Sequence, residues 1–366
     1  MEVTTIAENS TYGLSLDYEI ETLSLANRAV LTVFLLLSML LSLLGNTFTC
    51  LIVYRKKPMR SAINLLLTNI ATSDLILTLA VAPFVLYNML KTNISVFGMC
   101  VCFSVLKDAC ICVTSYTLLV ISVDRYLIIV HRKDRLCPKM AKGIILIIWF
   151  GSVCISIPQF LSFAKEEFVT FDKIFCYDSV SVSMSNFRLS YTLILLSVTF
   201  YIPVVVMFYL YAAILRTVQL SSKRIHNHSG STVSISVTQY SSKLGLPTVA
   251  VPYRFTGDFN AKRKAFGTIL LLFITLFCCW LPYTTNRIIT LGASRQILVE
   301  TILLTLGFLK SALYPIIFCA RNKKFRVACR RFLPSSLQIP KTCFQRKQRR
   351  VNPKSVYKCS EFETRI

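Results

Sequence analysis

Charged side chains are scarce in this chain. They make up 16% of its 366 residues, against about 25% in soluble globular proteins, and that shortfall excludes an ordinary water-soluble domain. Acids are scarcer than bases, with 17 Asp and Glu against 41 Lys and Arg and a net charge of +24. In a soluble protein that excess would point to nucleic acid. Here the bases sit between and after long apolar runs, so they report membrane orientation and no nucleic-acid partner is expected. Histidine is down to three residues, too few for a His-rich metal site. The fourteen cysteines lie mostly inside apolar runs, as Cys110, Cys112 and Cys278 do. A free thiol there is a small hydrophobe, which excludes a secreted disulfide scaffold or a zinc cluster. No Ser-His-Asp set, paired-carboxylate cleft or phosphate-cradling glycine loop stands out, so no enzyme and no cofactor are expected. Residues 1–27 contain no Lys or Arg, so they lack the basic start of a cleavable signal peptide.

What the chain has in abundance is apolar length. Its mean hydropathy is +0.59, and seven apolar runs lie at about 28–54, 62–90, 97–130, 141–163, 187–217, 264–290 and 297–319. Each is long enough to span a bilayer as a helix. The fold expected is an all-α membrane protein, a seven-transmembrane bundle over 28–319. Arg55, Lys56, Lys57 and Arg60 follow the first run, and Arg132, Lys133, Arg135, Lys139 and Lys142 follow the third. Lys223, Arg224, Lys262, Arg263 and Lys264 flank the fifth-to-sixth connection, and fourteen bases against two acids follow the seventh run. The positive-inside rule then places 1–27 outside the cell and the C-terminus in the cytosol.

Asn9-Ser10-Thr11 is then a glycosylation acceptor, Asn93 lies too near the membrane to be a good one, and Asn227 faces the wrong side. The segment 218–262 reads as a third intracellular loop, rich in Ser and Thr. Residues 320–332 carry Phe325, Val327, Ala328 and Phe332 among bases, the pattern of a short amphipathic eighth helix on anionic inner-leaflet lipids. Residues 333–366 read as a basic cytoplasmic tail. It ends in Thr364-Arg365-Ile366, which suits capture by a PDZ domain through strand addition.

Several charges fall at membrane depth. Each costs roughly 2.5–3.5 kcal/mol or more if unpaired, so they must face the protein interior. The third run holds Lys107, Asp108, Asp124 and Arg125, and Lys107 and Arg125 are five helical turns apart on one face. Asp74 and Lys310 are expected to pair, because either one buried alone is costly. Bundles with buried charges also occur as transporters, channels and retinal proteins. No repeat of broken helices marks a transporter here, and Lys310, five residues before Pro315, lies too deep for a ligand pocket.

The ordered motifs resemble those of the rhodopsin-like, class A G-protein-coupled receptors over about 28–332. They are Gly45-Asn46, Asp74, Asp124-Arg125-Tyr126, Trp149, Pro203 with Tyr211, and Cys278-Cys279-Trp280-Leu281-Pro282. Lys243–Leu246, Leu309–Leu313 and Ser355–Cys359 look more narrowly like a small orphan subgroup proposed as lysophospholipid receptors. The resemblance implies a plasma-membrane receptor that carries an extracellular signal to heterotrimeric G proteins, with an arrestin as a further partner. It implies a disulfide from the top of helix 3 to Cys176, from Cys100 in preference to Cys102, its competitor two residues on. It puts G-protein coupling at Asp124, Arg125, Tyr126, Tyr211 and Lys262.

The sequence departs from the family in places. Lys262 stands where many members clamp the helix 3 Arg with an acid. The helix 7 Asn-Pro-x-x-Tyr motif reads Tyr314-Pro315-Ile316-Ile317-Phe318, and Lys310 stands where an Asn often helps to bind sodium. The pocket expected from the resemblance includes Lys107, Asp108, Trp280 and Tyr283. Amine receptors place an Asp where Lys107 stands, so an amine is disfavoured and an anionic group such as a phosphate fits. Phe103 and Ser104 replace the Arg and Gln/Glu pair of well-known lysophospholipid receptors. A peptide or another small molecule is the alternative ligand.

Overall fold

The computed structural model describes residues 24–90, 97–159, 171–172, 177–178, 186–229, 255–290, 296–322, 325–327 and 329. Seven of its helices are long and apolar enough to cross a membrane. We number them α1 (Leu25–Arg55), α2 (Ala62–Leu90), α3 (Phe97–Ile129), α4 (Pro138–Ser156), α5 (Asn186–Leu196, Ser197–Tyr201 and Ile202–Ser229), α6 (Phe255–Ile289) and α7 (Ile297–Arg321).

Burial ranks these helices. Of the apolar window of α3, 78% is buried, against 22% for α1 and for α4, so α3 runs through the middle and the other two lie at the rim. Leu36, Leu37, Leu40, Leu41 and Leu44 of α1 and Leu146, Ile147 and Phe150 of α4 are exposed. In water this surface would be a liability, whereas hydrocarbon accepts it without cost.

Proline shapes four of the spans. Pro83 and Pro203 each follow a short π-helical stretch, Leu77–Val81 in α2 and Ser197–Tyr201 in α5. A proline ring pushes on the carbonyl four residues back, and one wider turn makes room for it. Pro282 lies inside α6 and Pro315 inside α7. Pro315 leaves the Ser311 carbonyl without its helical donor, and Asn46 Nδ2 of α1 supplies one at 2.9 Å. Gly45 lets the helices meet there, since a Cβ at that position would overlap the Pro315 ring. Side chains join the next layer too. Trp149 Nε1 donates to Asn69 Oδ1 at 2.8 Å, and Asn69 Nδ2 donates to Thr117 Oγ1 at 2.9 Å, linking α4, α2 and α3.

The C-terminal end of α3 closes on Arg132, which takes a left-handed φ of 56°. The Lys133 N–H then reaches back six residues to the Leu127 carbonyl at 3.0 Å. At the end of α7, Asn322 Oδ1 accepts from the Phe325 N–H at 3.3 Å, and residues 325–327 and 329 are helical. Phe325 is buried with its ring centroid 6.4 Å from that of Phe318, while Val327 is exposed. The remainder of the expected eighth helix and the tail with Thr364 and Ile366 lie outside the described residues, as do Asn9, Asn93 and Cys176.

The segment read as the third intracellular loop is helical at both ends. The helices reach into 218–262 from both sides, α5 to Ser229 and α6 from Phe255. Once a helix has begun, each further residue adds a hydrogen bond without needing apolar side chains. Hydropathy sees only the part in lipid. A two-residue antiparallel ladder, β1 (Phe171–Asp172) with β2 (Tyr177–Asp178), in the α4–α5 connection was not foreseen.

Candidate functional site

Polar groups inside the bundle gather at three levels, and the middle one is built on α2 and α7. Asp74 and Lys310 are fully buried. Lys310 Nζ lies 2.5 Å from Asp74 Oδ1 and donates to Thr114 Oγ1 of α3 at 3.3 Å. Ser311 Oγ donates to the same carboxylate at 2.8 Å. A cation carried by α7 thus sits on the α2 carboxylate, and a hydroxyl from α3 completes its shell. Neither charge is stranded, which is the condition for keeping ions at this depth.

The outer level lies where α3 faces α6. Lys107 and Asp108 do not serve each other. Lys107 Nζ donates to the Tyr283 hydroxyl at 2.5 Å and stands 4.9 Å from the centre of its ring. Asp108 accepts from Arg287 Nη1 at 2.9 and 3.1 Å through its two oxygens. Arg287 Cζ is 6.0 Å from the Tyr283 ring, so two cations flank one phenol. All four residues are buried, at 1–5% exposure. Arg287 lies two residues before the end of α6 and Glu300, also buried, in the first turn of α7, which puts this cluster at the end of the bundle where α6 passes to α7.

The Trp280 indole lies below, its centroid 5.7 Å from that of Tyr283 and 6.4 Å from that of Phe308. Gly307 of α7 makes room for it, because a Cβ there would stand 2.8 Å from the ring. Phe103 stacks on Phe84 with centroids 4.4 Å apart, and Ser104 accepts from Gln159 Nε2 at 3.0 Å. Those two positions therefore pack against α2 and the end of α4.

The inner level carries the Asp-Arg-Tyr motif. Arg125 Nη2 and Nε reach Asp124 Oδ2 at 2.6 and 3.0 Å. Tyr126 packs edge-on to His131 with centroids 5.2 Å apart. The Tyr211 hydroxyl is 2.7 Å from Ser122 Oγ, one turn above Arg125, and also reaches the Ile269 carbonyl at 3.5 Å. In α7 the Tyr314 hydroxyl donates to the Leu272 carbonyl of α6 at 3.0 Å. The Asn-to-Tyr change thus becomes a direct α6–α7 tie, and Phe318 packs between Tyr314 and Phe325. Lys262 lies on α6 and Cys100 on α3, but their side chains are outside the described residues. Cys102 is an exposed free thiol.

Two site residues escaped the sequence reading. Arg287 continues a stripe with Trp280, Tyr283 and Thr284 at helical spacing, so it was within reach of periodicity. Glu300 is a lone acid in an apolar run, and that was its signal. Among the described residues there is no group of three or more His, Cys, Asp or Glu that could hold a metal ion.

With this geometry in view, likeness to known proteins becomes informative. The family model described as "7 transmembrane receptor (rhodopsin family)" matches residues 45–318. The "High-affinity lysophosphatidic acid receptor" of Xenopus laevis is 36% identical over 93% of this chain and 91% of its own length. The human "Probable G-protein coupled receptor 45" is 35% identical over 93% and 91%. The mouse "Probable G-protein coupled receptor 63" is 32% identical over 98% and 84%. The transporter and channel readings fall away. This chain belongs to the rhodopsin family of seven-transmembrane receptors, a multi-pass membrane protein and not an enzyme.

Proposed function

We propose that this receptor binds an anionic lysophospholipid at its outer end and activates a heterotrimeric G protein at its inner end. The observation that carries the reading is the pair of buried cations, Lys107 and Arg287, flanking the Tyr283 phenol. Arginine offers a fork of donors that matches a phosphate, and a lysine ammonium adds a point charge beside it. The Xenopus relative, named for lysophosphatidic acid, supports the same chemistry.

The rest of the reading follows the family. Asp124, Arg125 and Tyr126 form the G-protein face with Tyr211 and Lys262. The N-terminus lies outside, glycosylated at Asn9 and poorly at Asn93. A Cys100–Cys176 disulfide ties α3 to the outer loop, an assignment that the outward-facing free thiol of Cys102 supports. On the cytoplasmic side an arrestin binds the active receptor and a PDZ domain takes Thr364 and Ile366. The test is a panel of Gα biosensors in cells expressing the receptor, challenged with lysophosphatidic acid and with the uncharged monoacylglycerol of the same chain. Activation by the first alone is expected. Equal responses, or none to any anionic lysophospholipid, would refute the anionic-ligand reading.

A further inference from the structure

Two thiols meet where α7 gives way to the helical turn that follows it. Cys319 lies two residues before the end of α7, and Cys329 lies seven residues after the Asn322 cap. Across that elbow their Sγ atoms stand 3.6 Å apart. Both are free thiols and both are partly exposed, whereas Cys110, Cys112 and Cys279 are buried. Redox-active thiols sit in partly exposed, electropositive surroundings, and thiols sealed in a core are inert. The pair has such surroundings. Arg326 Nη1 lies on the Cys319 carbonyl at 3.3 Å and on the Ala320 carbonyl, and Arg330 and Arg331 follow Cys329 in sequence. A disulfide holds its sulfurs about 2.05 Å apart, so from 3.6 Å these two need to close by only about 1.5 Å.

We propose that Cys319 and Cys329 are a redox pair, a modification site at which hydrogen peroxide closes a disulfide that fastens residues 325–329 to the end of α7. One thiolate attacks a peroxide oxygen, the O–O bond breaks, and the sulfur becomes a sulfenic acid as hydroxide leaves. The second sulfur attacks the first, the S–O bond breaks and the S–S bond forms. Both thiol protons end in water, so two thiols are oxidised to one disulfide and one peroxide is reduced to two waters. A dithiol reductant reopens the bond by exchange. If 1–27 lies outside the cell, seven spans put the pair in the cytosol, where a disulfide is transient and senses redox state.

The bond acts on an arrangement already present. Phe325 is buried and packs on Phe318, which packs in turn on Tyr314, and Tyr314 ties α7 to the Leu272 carbonyl of α6. A cross-link that closes only with the elbow folded favours the folded elbow over any open one. Oxidation therefore restrains the elbow whatever ligand the receptor takes.

The test uses the full-length receptor, purified in detergent under reducing conditions and then exposed to a low excess of hydrogen peroxide. Remaining thiols are alkylated, and the digest is read by mass spectrometry. We expect the peptides of Cys319 and Cys329 joined, lighter by two hydrogens and separated again by a dithiol, while Cys110, Cys112 and Cys279 stay reduced. Amide hydrogen exchange over 325–329 should slow at least about fivefold on oxidation of the wild type, and should not change in Cys319→Ser or Cys329→Ser. Sulfenic or sulfinic acid without the cross-link, a bond to Cys343 or Cys359 in its place, or a cross-link that leaves exchange unchanged would overturn the proposal.

Discussion

Lys310 Nζ lies 2.5 Å from Asp74 Oδ1 at the centre of the bundle, with Ser311 and Thr114 completing the shell. The receptor thereby carries, as a covalent part of α7, a cation on its α2 carboxylate. Asp74→Asn and Lys310→Met should each lower surface density or signalling, because each strands a buried charge, by about 3–5 kcal/mol in the limit of full burial. The double variant should recover part of the loss, and strictly additive losses in that cycle would show that the contact carries no coupling. Sodium, added at physiological concentration to membranes, should leave basal signalling unchanged.

The absent clamp on Arg125 gives a second forecast. Lys262 stands five turns before Trp280 on α6, where an acid would hold Arg125. A bias of a few kcal/mol is enough to open a two-state equilibrium, so the wild type should signal without ligand. Lys262→Glu should lower that output several-fold, and Arg125→Ala should abolish it. A silent wild type at normal surface density, or unchanged output from Lys262→Glu, would show that another contact sets the equilibrium.

Packing around Trp280 can be tested at a glycine. A Cβ on Gly307 would come within 2.8–2.9 Å of three ring atoms of a fully buried indole. Gly307→Ala should therefore cost about 1–3 kcal/mol through overpacking. Gly143 and Gly151 have no atom within 4 Å of a built Cβ, and alanine at either should be neutral or slightly stabilising, by up to about 1 kcal/mol. Melting curves of the three purified variants check this. A Gly307→Ala receptor as stable as Gly143→Ala would mean that the indole swings aside.

Orientation has a chemical readout as well. If 1–27 lies outside the cell, Asn9 should carry a glycan and Asn227, on the C-terminal extension of α5, should not. Glycosidase treatment of Asn9→Gln and Asn227→Gln receptors would expose a reversed topology as sugar on Asn227.

These forecasts draw unequally on sequence. The seven spans were legible because apolar length is a property of each segment alone. The Asp74–Lys310 contact was legible because two charges buried without partners are too costly to keep apart. Asp108 and Lys107 were visible as charges at membrane depth, but their partners depend on how α3 and α6 are set against each other, which no single segment encodes. Arg287 shows the same limit from the other side. Its stripe with Trp280 and Tyr283 marks a face, and only the cross-helix register gives that face to Asp108. The helical extensions to Ser229 and from Phe255 escaped notice because helix in water leaves no hydropathy signal.

The most direct test of anionic-lipid recognition is ligand-dependent stability of the purified receptor. Lysophosphatidic acid and its uncharged monoacylglycerol counterpart share the acyl chain, so their difference isolates the phosphate. Ligand at a hundred times its Kd should stabilise the folded receptor by about 2.7 kcal/mol. We expect lysophosphatidic acid to raise the melting temperature of the wild type, monoacylglycerol to have little effect, and Lys107→Ala and Arg287→Gln to lose most of the gain. Equal shifts from the two lipids, or a shift that survives both substitutions, would contradict recognition of the phosphate by these two cations.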